Sequence, residues 1–196
     1  MDEDVISIRL EKTKTAKNTN QIIVVVKDKI YLYNKTKGFW KREIEADCIY
    51  GKNGFSQNRF EGDNTTPIGS FEILYAFGTE ENPNTRLEYR KILETSYFSY
   101  DTSKKEEYNR WIESKSKVKG EHLIDYPKQY HYAMVIGFNI DPVVVGKGSS
   151  IFLHVKGEKG YTEGCIAVNE DVMIGLFEKV RKGAYIIIVE DVKDIN

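Results

Sequence analysis

Short apolar runs, broken at close intervals by Gly, Asn, Asp and Lys, set the rhythm of this chain. Gln21 to Val26 and Ile30 to Tyr33 flank Lys27-Asp28-Lys29, which predicts two strands about a tight turn. Strand-like sequence continues through Gly38-Phe39-Trp40 and Ile44 to Tyr50, turns at Gly51 to Gly54, and resumes from Ile68 to Phe77. Later strands are expected at Tyr130 to Phe138, Val143 to Val145, Ser150 to His154 and, briefly, Cys165 to Val168. Only one late segment keeps a helical period: Val172, Met173, Leu176, Phe177 and Val180 predict a helix from Glu170 to about Arg181. Asn169 is placed to cap it and Gly183 to stop it, before a final buried strand at Ala184 to Val189. Gly78 to Gly120 reads as a long polar insertion, with a short helix at Lys104 to Ile112, able to frame a groove. Residues 1–20 are charged and irregular and read as a flexible lead-in, leaving 21–196 as one domain. The expected fold is mainly β, an antiparallel sandwich-like arrangement with a late helix.

Composition narrows the function classes. Tyr and Phe are plentiful (13 and 9) and Pro is scarce (4), which favours strands. A formal net charge of -1 offers no basic field for nucleic acid. The Lys clusters at Lys104-Lys105 and Lys115 to Lys119 are interleaved with Glu and Ser and read as a solvated face. The longest apolar run, Ile22 to Val26, falls far short of the ~20 residues a membrane helix needs, so no membrane contact is expected. Met1-Asp2-Glu3-Asp4 is acidic and is not a signal peptide. The two cysteines, Cys48 and Cys165, exclude a disulfide framework and a cysteine-only zinc site, and leave one long-range bridge open.

The chemistry lies where an apolar strand, Ile151-Phe152-Leu153, delivers His154 and a Gly-punctuated loop returns to Gly164-Cys165. A cysteine nucleophile needs a base or cation to release its proton, and His serves near neutral pH. Gly before Cys permits a sharp turn whose N–H groups converge on one point, as an oxyanion requires. Spacing alone leaves the bland readings standing, a buried Cys165 and a structural His154. His122 is a second candidate, in the groove or simply half-buried; His131 and Cys48 read as structural. Gly146-Lys147-Gly148-Ser149 lacks phosphate-loop spacing, and Glu61 and Asp63 have no matching acidic partner site.

Leu153-His154-Val155 followed by Tyr161-Thr162-Glu163-Gly164-Cys165-Ile166-Ala167-Val168 resembles the signature of the L,D-transpeptidase (YkuD-type) family. Upstream, Glu61-Gly62-Asp63-Asn64-Thr65-Thr66-Pro67-Ile68-Gly69-Ser70-Phe71 resembles that family's segment before its substrate-facing strands. The resemblance spans roughly Ile22 to Val189. It implies that Cys165 attacks a peptidoglycan stem peptide at the bond before a terminal D-alanine, forming a thioester, with His154 as base. Val155 would fix the imidazole tautomer through its carbonyl, and main-chain N–H groups around Thr162, Glu163, Gly164 and Cys165 would hold the oxyanion. An amine acceptor would complete a crosslink; water in its place would make an L,D-carboxypeptidase. A non-catalytic wall-binding module is the third reading. No metal or organic cofactor is implied, and a monomer is expected. A wall substrate implies an extracytoplasmic site of action, with an export signal or anchor absent from this chain. Glu163 departs from the family pattern, where His is common, as does Ala167, where Arg or Asn is common. Glu163 would either hold His154 protonated or tune access of an amine.

Overall fold

The structure is a computed structural model that describes residues 4–196. The acidic start at Met1 to Glu3 lies outside the described residues. The rest of the expected lead-in is ordered differently from its sequence reading. Asp4 caps a short helix, α1 (Val5–Leu10), accepting from the Ile6 and Ser7 N–H groups. Ile6 and Leu10 are buried against the sheet. Each such side chain contributes roughly 1.5–3 kcal/mol, which orders a segment whose charged composition suggested irregular chain.

The apolar run becomes β1 (Gln21–Val26), joined by a two-residue turn to β2 (Lys29–Thr36), then by Lys37-Gly38 to β3 (Phe39–Ile49). Two short strands, β4 (Phe55–Ser56) and β5 (Thr66–Pro67), pair in parallel ahead of the long β6 (Gly69–Gly78). The insertion supplies β7 (Tyr89–Lys91), β8 (Ser96–Ser99), β9 (Trp111–Glu113) and β10 (Gly120–His122). The chain closes through β11 (Ala133–Ile136), β12 (Phe152–Val155), β13 (Ile166–Val168), α2 (Glu170–Lys179) and β14 (Tyr185–Val189).

The main sheet runs β11-β12-β13-β3-β2-β1-β14-β6-β7, and β6 also pairs with β11, so the sheet closes on itself. Pairing is mixed rather than wholly antiparallel: β1 lies parallel to β14, β12 to β13, β6 to β7 and β4 to β5. Inside sits one core, with Ile23, Val25, Leu32, Ile73, Leu153 and Ile166 packed on Met173, Leu176 and Phe177 of α2. The alternate residues Ile22 and Val24 face a second cluster under α1. β1 is therefore buried on both faces, which is why its sequence is a continuous apolar run.

Two expected elements are absent. Lys104 to Ile112 is not a helix. Asp101 draws the chain into a turn through Ser103, Tyr108 is buried and hydrogen-bonded to Glu61, and Asn109, at φ 57°, holds the Phe138 and Asn139 carbonyls. Val143 to Val145 is not a strand, because Asn139 claims both polar groups of Val144. The late helix ends at Lys179, and Asn169 stands at its N-cap without a side-chain bond.

Folded this way, the insertion covers the outer face of β11 and β12. Ile92, Phe98 and Leu123 pack with Phe77, Tyr130, Ala133, Val135 and Phe152, and Cys165 borders this third cluster.

Candidate active site

Successive residues of a strand face opposite sides. On β12, Leu153 and Val155 enter the central core, so Phe152 and His154 face outward. On β13, Ile166 and Val168 enter the same core. Cys165 therefore shares the outer face with His154. The parallel register pairs Leu153 with Ile166 and His154 with Ala167, which sets Cys165 level with Phe152, two residues before Ala167 and diagonal to the imidazole. Both side chains open onto a groove of about 1180 Å³ roofed by the insertion.

The turn before Cys165 is braced from two sides. Thr162 Oγ1 accepts from the Gly164 N–H (3.1 Å) and donates to the Cys165 carbonyl (2.6 Å). Thr66 Oγ1, from the upstream motif, donates to the Gly164 carbonyl (2.9 Å). Gly164 has φ 135°, and a Cβ there would lie 2.9 Å from the Thr65 carbonyl oxygen. Both facts require glycine. The Gly164 N–H is thus engaged with Thr162.

His154 is buried, with Nδ1 2.7 Å from the Val155 carbonyl oxygen and Tyr130 edge-on at 5.6 Å. A carbonyl only accepts, so Nδ1 carries the proton and Nε2 is the free base. Burial pushes the His154 pKa down to about 4, partly offset by the Val155 bond. The imidazole is therefore neutral near pH 7.

The Cys165 thiol donates to the Ser150 carbonyl (3.2 Å) and accepts from the Phe152 N–H (3.3 Å). Burial raises its pKa to about 12; Glu121 and Glu163 add to this, while Phe152 and Arg59 oppose it. Near pH 7 the two groups are thus a neutral thiol and a neutral imidazole.

Other candidates separate clearly. His122 lines the groove, but Nε2 lies 2.8 Å from the Glu94 carbonyl oxygen, Nδ1 lies 3.1 Å from Asp125 and the ring stacks on Tyr97. It forms wall. His131 lies outside the groove, precedes β11 rather than sitting in it, and pairs with Glu170. Cys48 is buried in the central core, and both cysteines are free thiols, so no bridge joins them. Sequence reading missed Arg59, Ser150 and the Glu121–Tyr130 pair. Tyr130 donates to Glu121, whose pKa burial lifts to about 7. Arg59 stood two residues before the Glu61 motif; its only signal was that proximity.

No curated protein matches the chain. Among solved structures it resembles Pgp2, the helical cell shape determining protein of Campylobacter jejuni, at 14% identity over 93% of this chain and 56% of that one, TM-score 0.50. Bd1075 of Bdellovibrio bacteriovorus matches at 15% over 91% and 50%, TM-score 0.49. An Enterococcus faecium L,D-transpeptidase mutant matches at 16% over 87% and 50%, TM-score 0.43. The chain spans about half the length of these structures, and at such identities the likeness speaks to fold alone. The family profile for the L,D-transpeptidase catalytic domain, YkuD, matches residues 19–189, nearly all of the closed sheet and both sides of the groove. The chain belongs to the YkuD family of L,D-transpeptidase catalytic domains.

Proposed function

We propose that this protein is a cysteine acyltransferase that acts on peptidoglycan stem peptides, with Cys165 as nucleophile and His154 as base. The observation that carries the reading is the shared outward face of Cys165 and His154 on adjacent parallel strands, opening onto one groove.

The resting thiol points its proton at Ser150. In the reaction the thiol turns to His154, whose Nε2 takes the proton as Sγ bonds to the substrate carbonyl carbon. The oxyanion is held by the Cys165 and Glu163 N–H groups. The carbon–nitrogen bond to D-alanine then breaks, His154 returns its proton to the leaving amine, and a thioester remains on Cys165. An incoming amine gives a proton to His154, bonds to the carbonyl carbon and expels the thiolate, which recovers that proton. The acidic side chains of Glu121 and Glu163 at the groove favour an ammonium-bearing acceptor over water. A single subunit supplies both groups. Peptidoglycan sets an extracytoplasmic place of action, and no helix among the described residues is long and apolar enough to cross a membrane.

Incubation with a tetrapeptide stem tests the reading. Crosslinked dimer is the expected product, abolished by Cys165→Ala; tripeptide alone would identify a carboxypeptidase. A carbapenem should add covalently to Cys165 by intact mass. Neither product nor adduct would leave a wall-binding module.

A further inference from the structure

Arg59 is buried in a way the turn chemistry above does not explain. Its side chain is 2% exposed, and its ion-pair partner, Asp63, lies 3.4 Å from Nη2. That carboxylate already accepts from the Phe60 N–H and from both polar groups of Thr65. Nε and Nη1 have no hydrogen-bond partner among the described residues. Leaving a buried guanidinium so poorly satisfied is costly. The packing around it is equally specific. The Phe138 ring covers one side at 5.3 Å. A Cβ at Gly148 would lie 2.9 Å from Cζ, and one at Gly164 would lie 3.3 Å from Nη2. Two glycines thus let the cation press against the turn that carries Cys165.

We propose that Arg59 is the fixed counter-charge of the nucleophile turn, stabilising the Cys165 thiolate and the oxyanion that follows it. Glu121 from β10, Glu163 from the turn, the Tyr130 phenol and Arg59 bear on the charge of Cys165, and the groove it opens onto is also lined by Glu61, His122, His154, Asp125, Glu158, Lys117, Lys128 and Lys159. Of the groups that bear on Cys165, Arg59 alone is a cation, and its side chain is buried. Two carboxylates and burial oppose the thiolate, and Arg59, pressed against Gly164 and lining the same groove, opposes them. It acts through the field at the turn and is a positioning residue. A merely structural arginine, stacked on Phe138, would contribute to stability and leave the thiol untouched.

The inference rests on Cys165 as nucleophile, but its test needs no wall substrate. Alkylation of Cys165 by iodoacetamide is followed by peptide mass mapping from about pH 6 to about pH 11, below the raised thiol pKa, where the rate climbs roughly tenfold per pH unit. R59M should move the rate profile to higher pH by about one unit, seen as roughly tenfold slower alkylation at a fixed pH. R59K should stay within about threefold of wild type, because the charge remains. D63N removes the charge that compensates Arg59 and should move the profile the other way. An R59M profile that overlays wild type would overturn the proposal, as would a D63N profile displaced upward. If R59M does not fold, D63N decides by sign. A chain that turns over no stem peptide but shows both shifts would sink the transpeptidase reading and keep this one.

Discussion

The Thr66 hydroxyl donates to the Gly164 carbonyl at 2.9 Å while accepting from the Gly51 N–H at 2.8 Å. Residues 98 apart in sequence are thereby joined at the turn before Cys165. The contact explains why a Thr-Pro segment and a Gly-Cys segment occur together. The first fixes the main chain that presents the second.

Thr66→Val keeps the shape of that side chain and removes the hydroxyl. Two buried polar groups, the Gly51 N–H and the Gly164 carbonyl, then lose their partner. Each such loss costs roughly 1–3 kcal/mol, so urea denaturation should report a destabilisation on the order of 2–3 kcal/mol. Acyl transfer should fall more than tenfold, because small misplacement of a reacting atom is expensive. Thr66→Ser should restore most of both. A Val variant with wild-type turnover would show that the brace is dispensable.

Much of this arrangement is legible in the sequence, for physical reasons. The β1 hairpin and β14 are long apolar runs bounded by turn residues, and burial on two faces leaves no ambiguity. The helical period of α2 marks its buried stripe. What fails is whatever tertiary contacts decide. Lys104 to Ile112 has helical composition, but burying Tyr108 against Glu61 matters more than local propensity. α1 is too short to announce itself and forms because the sheet offers a place for Ile6 and Leu10. Around the groove, spacing alone leaves Cys165 and His154 open to structural readings, and the resemblance of the surrounding segments is what singles them out. Nothing singles out Arg59, since a lone arginine in a polar loop ordinarily points to water.

Gly164→Ala tests the turn from within. The residue sits at φ 135°, and the added methyl would meet the Thr65 carbonyl oxygen at 2.9 Å. Backbone in that region cannot yield without moving Thr66 or Cys165. Such strain costs at least about 2 kcal/mol. Thermal unfolding should fall accordingly, and the folded fraction should lose most of its carbapenem adduct. Gly183→Ala is the control. Its φ is 83°, but nothing lies within 4 Å of the added methyl, so it should cost stability alone and leave adduct formation per folded molecule unchanged.

The buried imidazole sets a pH dependence of stability. His154 titrates near 4 when folded and near 6.5 when unfolded. Between those values the unfolded chain binds the extra proton, so stability rises with pH through the window. This contribution is fully present above about pH 6.5 and is lost as pH falls toward about 4. Its size is on the order of 3 kcal/mol. Urea midpoints of wild type and His154→Gln should diverge across that window, with the variant showing the flatter profile. Parallel profiles would mean that the imidazole is solvated or already charged at neutral pH.

Glu121 works in the opposite sense. Its pKa is lifted to about 7 by burial, against about 4.3 when unfolded. The folded state holds the proton more tightly, so this contribution to stability is present below about pH 4.3 and is lost as pH rises through about 7. The same titration bears on the Cys165 thiol. Below about pH 6 the carboxyl is largely neutral and adds little repulsion to the thiolate. Above about pH 7 it is charged, faces the same groove as Cys165 and disfavours sulfur ionisation. Glu121→Gln should therefore alkylate at the wild-type rate near pH 5 and several-fold faster near pH 8. It should also gain stability relative to wild type over the same rise in pH. A variant slower than wild type at pH 8 would show instead that the Tyr130–Glu121 hydrogen bond serves mainly to hold the groove wall in place. That outcome would shift the role of Glu121 from electrostatics to shape.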